Sequence, residues 1–205
     1  MSQPVTELVT FTSSEAYQKD KGVLKGLIEI LDATDGALST YHGPQVEDPS
    51  EGYSFVQWQT YEHHVALMNA PVYPKLIETL KPALGGPFEL VHIKFNKDVT
   101  KALEKPITEV ATFTLKPGKT MEQLVPLLDQ LTSTSELSIW GPTMEKEDRV
   151  VLVFGWNSVE VGIIFCVEEH HEVISKGPEE LKKVLVSLNE LADLKLFHAK
   201  LQKYS

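Results

Sequence analysis

Apolar and polar residues alternate over Thr6–Thr12, which places Val5, Glu7, Val9 and Phe11 on one face and predicts a β-strand. Helical spacing takes over beyond Ser13 and Ser14, either of which can cap a helix. Val23, Leu24, Leu27, Ile28 and Leu31 supply its apolar stripe. Gly36 restarts the chain into an extended run, Ala37–His42, that Gly43-Pro44 ends. A hairpin loop over 45–52 leads to a third strand, Tyr53–Thr60. The next helical stretch is interrupted at Pro71 and Pro74, because proline disfavours α geometry in the residue before it. Leu76, Ile77 and Leu80 carry the stripe on to Pro82. Gly85-Gly86-Pro87 then turns into a fourth strand, Phe88–Phe95. The order is β-α-β-β-α-β.

The same order then returns. Val5-Thr6-Glu7-Leu8-Val9-Thr10-Phe11-Thr12 reappears as Ile107-Thr108-Glu109-Val110-Ala111-Thr112-Phe113-Thr114, and His42-Gly43-Pro44 answers to Trp140-Gly141-Pro142. Phe55-Val56-Gln57-Trp58-Gln59-Thr60 answers to Val153-Phe154-Gly155-Trp156-Asn157-Ser158, and Val91-His92-Ile93-Lys94-Phe95 to Phe197-His198-Ala199-Lys200-Leu201. Ordered matches of this kind identify an internal duplication. The second set of strands is expected at Ile107–Leu115, Leu137–Trp140, Arg149–Trp156 and Leu194–Leu201, with helices near Met121–Leu131, from Val159 onward and at Pro178–Leu191. A four-stranded antiparallel sheet with helices on one face leaves the other bare, and two such sheets can bury their bare faces together. The expectation is an α+β fold: two ferredoxin-like repeats, 1–96 and 107–205, joined by a polar linker, 97–106, and forming an intramolecular, pseudo-dimeric α/β barrel.

The run Trp58-Gln59-Thr60-Tyr61-Glu62-His63-His64, then Leu67-Met68-Asn69-Ala70-Pro71-Val72-Tyr73 and Leu76 through Pro82, resembles the third strand and following helix of antibiotic biosynthesis monooxygenase-like dimeric α/β barrel proteins. The tandem arrangement, with Gly155-Trp156-Asn157-Ser158 in the second half, is similar to fungal members carrying two such units. The resemblance covers nearly the whole chain. It implies a pocket for a small, largely apolar aromatic or polyketide-like molecule, and chemistry of oxygenase, cyclase or decarboxylase type without a tightly held cofactor. The family tryptophan corresponds to Trp58 and Trp156 and the family histidine to His64, so Trp58 and His64 are the catalytic candidates. Counting from the tryptophan, Gly162 stands where His64 has its counterpart, which points to the first repeat as the active half. Glu169-His170-His171 resembles Glu62-His63-His64 in letters but falls too late in the chain. The superfamily also contains non-catalytic binding and stress-response proteins, which is the alternative function, and haem-binding members, which is a third.

The residues open further possibilities. As a general base, His64 needs reach to an acidic proton; otherwise it is a helix histidine packed under a strand. His63, about 100° around the helix, is expected to face solvent. In strand four, Val91, Ile93 and Phe95 share one face and Leu90, His92 and Lys94 the other; Leu196, His198 and Lys200 repeat this. His92 and His198 are therefore expected at the barrel interior or its rim. There they could bracket a ligand, a metal or a haem, or each could bond a cross-strand acid. Glu7 and Glu109 occupy matched places on an otherwise apolar face, where a carboxylate needs a partner. Tyr41, Tyr73 and Trp156 join His92 and His198 as candidate substrate-binding residues, with Trp140 and Tyr53 as further aromatics that line a cavity or simply fill it.

Charge and composition narrow the classes. A formal net charge of −10 repels phosphate backbones and anionic lipid. The one cysteine, Cys166, excludes an intrachain disulfide and any multi-cysteine metal site, and suits a small buried hydrophobe. No nucleotide, nicotinamide, serine-hydrolase or zinc-protease motif is present. No metal or cofactor is expected, nor nucleic acid or membrane as a partner. The expected partners are a small organic molecule and, weakly, a second copy of the chain. The expected location is cytoplasmic.

Overall fold

The computed structural model describes residues 4–133, 135–158 and 179–204. The architecture is α+β, and the chain divides into two compact units: Met1–Lys94 with Ala199–Ser205, and Phe95–His198. In the first unit, β1 (Val5–Ser13), β2 (Ala37–Pro44), β3 (Glu51–Trp58) and β4 (Leu84–Ile93) pair antiparallel in the order β4-β1-β3-β2. β4 begins four residues before its expected start. Gly85 lets its backbone close on β1, where a Cβ would lie 2.6 Å from the Ser13 carbonyl oxygen.

The first helical segment is broken into three pieces. Ser14 caps α1 (Glu15–Lys19) by accepting from the Tyr17 amide at 3.1 Å. Asp20 then takes the Gly22 amide at 2.7 Å, which starts a 3₁₀ turn, Lys21–Leu24, before α2 (Lys25–Asp32) resumes. Across the crossover after β3, α3 (Tyr61–Met68) and α4 (Tyr73–Leu80) are separated at Pro71, and Pro74 falls in the first turn of α4, where its missing N–H costs nothing. These helices bury Tyr17, Leu24, Leu27, Leu31, Leu67 and Leu76 against the sheet face carrying Val9, Phe11, Val56 and Trp58.

The second unit repeats this plan with α5 (Thr100–Leu103), β5 (Ile107–Leu115), α6 (Met121–Thr132), β6 (Ser138–Pro142), β7 (Arg149–Trp156), α7 (Glu179–Leu191) and β8 (Ala192–Ala199). Its sheet order, β8-β5-β7-β6, is again fourth-first-third-second. Leu124 and Leu128 of α6 and Val184 and Leu188 of α7 pack on Ala111, Phe113, Val150 and Leu152. The expected helix from Val159, with Gly162, Cys166 and Glu169-His170-His171, lies outside the described residues. Among the described residues, no helix is long and apolar enough to cross a membrane.

The structure departs from the expected boundaries at both ends of the second repeat. The stretch 97–106 holds α5 and buries Val99, Ala102 and Leu103, so it is packed rather than a free linker. A Cβ on Gly155 would meet the Ala102 backbone at 2.8 Å, which fits α5 tightly against β7. The last seven residues belong to the first unit. β9 (Gln202–Lys203) pairs with Tyr41 and His42 of β2, the Lys200 amide donates to the Pro44 carbonyl at 3.1 Å, and the Tyr204 amide to that of Thr40 at 2.9 Å. A Cβ on Gly43 would sit 1.8 Å from the Lys200 carbonyl oxygen, so only glycine admits this strand.

Beneath that strand, His42 is buried, with Nδ1 3.1 Å from the Tyr17 hydroxyl and its ring stacked on Tyr204 at 3.9 Å. Burial, reinforced by the nearby Lys21 ammonium, lowers the His42 pKa to about 4. A histidine held neutral by folding stabilises the protein fully above its unfolded pKa of about 6.5, and that contribution is lost as pH falls through the folded value. Chemical denaturation between pH 7 and pH 4 should therefore show a loss on the order of 3 kcal/mol attributable to His42. His42→Asn, whose amide oxygen can still accept from Tyr17, should show a flatter profile over the same interval. Identical pH profiles for the two proteins would refute this assignment.

Candidate functional site

Glu7 organises the polar centre of the first unit. In the antiparallel register it lies opposite Val56 of β3 and His92 of β4, and directly opposed residues share a face. Trp58, two residues along β3 from Val56, reaches diagonally across, and its Nε1 donates to Glu7 Oε2 at 2.9 Å. Because α3 begins three residues after β3 ends, its first turn hangs over the strand end. His64 thereby stacks on Trp58, with ring centres 4.8 Å apart and planes 13° from parallel. His64 Nδ1 lies 2.7 Å from His92 Nε2 and 3.5 Å from Glu7 Oε2. One of the two ring nitrogens must carry the hydrogen that joins the histidines. Tyr61, also on α3, sets its ring edge-on to His92 at 4.9 Å. Glu7, Trp58, His64 and His92 are all buried, at 7%, 0%, 3% and 2% exposure. A carboxylate at that depth is tolerable only with donors around it; the Trp58 indole supplies one, and His64 Nδ1 stands 3.5 Å away.

A cavity of about 70 Å³ opens from this cluster between the sheet and its helices. Glu7, Ser54, Trp58, His64 and Tyr73 form its polar part, and the rest is apolar, with aliphatic residues of α2 and α4 and Phe11 supplying half of it. Partial burial, with the Glu7 carboxylate nearby, pushes the Tyr73 phenol above its ordinary pKa. Tyr73 therefore remains protonated at neutral pH, able to donate.

Three expectations need correction. His92 and His198 do not point away from the helices: both lie on the helix-covered face, His92 against His64 and His198 with Nε2 3.7 Å from Glu109 Oε2. The register decides this, since His92 must share the side of Glu7. Tyr41 is buried on the opposite face from Trp58, paired with Phe55 and not with Val56, so it does not reach the cavity. His63 does not simply face solvent: Nδ1 is 3.0 Å from Thr60 Oγ1 and Nε2 3.8 Å from Asp35.

No protein-family model matches the chain, and no curated protein matches it in sequence. Solved structures match its fold over its full length. A candidate monooxygenase from Fusobacterium nucleatum superposes with a TM-score of 0.69 at 10% identity, over 100% of this chain and 95% of that one. A candidate monooxygenase from Lactobacillus acidophilus gives 0.65 at 10% identity, over 100% and 97%. An anthrone oxidase-like protein gives 0.69 at 13% identity, over 98% and 94%. The chain has the fold of these proteins. At such identities the likeness extends to fold alone.

The second unit repeats part of the constellation. Trp156 Nε1 donates to Glu109 Oε2 at 2.9 Å, as Trp58 does to Glu7, and His198 stands where His92 does. Phe154 stacks on Trp156 at 4.0 Å. The sequence marked Glu7 as needing a partner but did not place it in a site. The signal was its position on an apolar face, and what identified the partners was the register.

Trp58→Phe removes the indole donor to a buried carboxylate and leaves a void. It should lower unfolding free energy by about 2–3 kcal/mol, measured by urea denaturation. Trp156→Phe should cost less, because that half-buried ring admits water to replace the donor. Equal losses would show that the two tryptophans are energetically equivalent.

Proposed function

We propose that the first unit binds a small, largely apolar aromatic molecule in the cavity beside Trp58. There it transforms the molecule by base-initiated chemistry, as an antibiotic biosynthesis monooxygenase-like enzyme that holds no cofactor tightly. The observation that carries this reading is the cavity itself: an apolar space with a carboxylate–imidazole pair at one end and a protonated phenol beside it. In this reading His64 is the general base. Glu7 and His92 hold its ring and accept or return the proton, Trp58 fixes its plane, and Tyr73 donates to a substrate oxygen. The electron-rich anion left by deprotonation of a phenol or its keto tautomer reduces dioxygen, and a carbon–oxygen bond forms. The resulting peroxide anion takes up a proton to give a hydroperoxide, which loses its C–H proton and hydroxide together as water to leave a carbonyl. Dioxygen is the oxidant and water the second product, so the electrons balance without a bound redox group. An anthrone, the compound class named by one structural relative, has the required acidic CH₂ and is a suitable first probe.

A second reading, a non-catalytic small-molecule binder, is favoured by the size of the cavity. About 70 Å³ is roughly half of the ~150 Å³ of an engineered apolar cavity that binds benzene, so a polycyclic ligand does not fit the cavity as it stands.

Oxygen uptake with anthrone and simple naphthols separates the two. The catalytic reading expects uptake matched to carbonyl product and a decrease of about 100-fold in kcat/KM for His64→Ala. Tyr41→Phe, on the other sheet face, should be unaffected. Saturable quenching of tryptophan fluorescence with no oxygen uptake would establish the binding reading instead.

A further inference from the structure

We propose that Glu7, His64 and His92 form a binding site for one divalent first-row transition-metal ion. Among the described residues this is the one group of three metal-ligating side chains whose donor atoms all lie within 4.8 Å of one another. Three features support it.

The donor spacing is the first. A tetrahedral ion about 2.0–2.2 Å from nitrogen and oxygen ligands holds neighbouring donors about 3.3 Å apart. Two of the three edges here, 2.7 Å and 3.5 Å, straddle that length, so small rotations of the two imidazoles admit an ion at their common centre. The second is support around the donors. The Trp58 indole N–H orients Glu7, the Trp58 face holds the His64 ring, and Tyr61 sets its ring edge against His92. Outer contacts of this kind fix ligand geometry in metal sites. The third is electrostatic. Glu7 places a carboxyl group at 7% exposure, and a divalent ion offsets the charge of its ionised form directly where neutral donors only solvate it.

Two imidazoles and one carboxylate select zinc, cobalt, nickel or ferrous ions over calcium and magnesium, which prefer all-oxygen sites. Three protein ligands leave a coordination position, and because Glu7 and His64 line the cavity, that position is reachable from it.

This proposal goes beyond the base reading and competes with it. An imidazole bound to metal through Nδ1 carries its proton on Nε2 and has no basic lone pair left. Loading the ion should therefore suppress metal-free turnover.

The test is titration of chelator-treated protein with cobalt(II), followed by the intense visible absorption of low-coordinate cobalt and by calorimetry. One equivalent should bind. His92→Gln and Glu7→Gln, the latter retaining an acceptor for Trp58, should each weaken binding at least 10-fold while thermal unfolding confirms that they fold. His63→Ala, which alters the adjacent half-buried histidine outside the cluster, should leave affinity unchanged. Absence of stoichiometric cobalt binding, undiminished affinity in the Gln variants, or loss in His63→Ala would overturn the proposal. Oxygen uptake by the chelator-treated protein tests the base reading separately, so either idea can fail alone.

Discussion

The first unit is arranged around the burial of one carboxylate. Glu7 stands on a strand face whose other members, Val5, Val9 and Phe11, are apolar and packed. A charge there is unfavourable by several kcal/mol unless it is met by donors, because little water is available to solvate it. Trp58 from the third strand donates to it, His64 from the helix that follows the third strand lies 3.5 Å away, and His92 of the fourth strand stands opposite it. The strand register, the abrupt start of α3 after β3, and the stacking of His64 on Trp58 all satisfy that one requirement.

The same constraint recurs in the second unit, where Glu109 receives the Trp156 indole and has His198 beside it. The recurrence separates two roles for these residues. A strand-one acid paired with a strand-three indole is a feature of both units and serves to bury the acid. Among the described residues, the close imidazole pair and the cavity opening from it lie in the first unit, where the polar cluster reaches a space that a ligand or an ion can occupy.

A second buried histidine serves a different end. His42 does not line the cavity beside Trp58. It lies between Tyr17 and Tyr204, beneath the strand formed by the last residues of the chain. Its environment favours the neutral ring, which joins the docking of the C-terminal strand to acid stability, away from the cluster around Glu7.

The β-α-β-β-α-β order of each half, and the matched positions of Glu7 and Glu109, Trp58 and Trp156, and His92 and His198 were all legible in the sequence. They depend on local periodicity and on residue type, which the chain displays directly. The grouping of Trp58 and His64 with Tyr73, and with Tyr41, came from the family resemblance and not from periodicity. Only the tertiary structure decided which face His92 presents. Alternation along a strand divides its residues into two sets, but pairing with a particular neighbour determines which set lies under the helices. The same reason removed Tyr41 from the cavity. It also applies to the last seven residues, whose return to the first unit depends on a backbone approach that Gly43 permits and that no local pattern reveals. The meeting of Glu7, His64 and His92 joins residues far apart in sequence through two strand registers and one helix start, so it exists only in the folded chain.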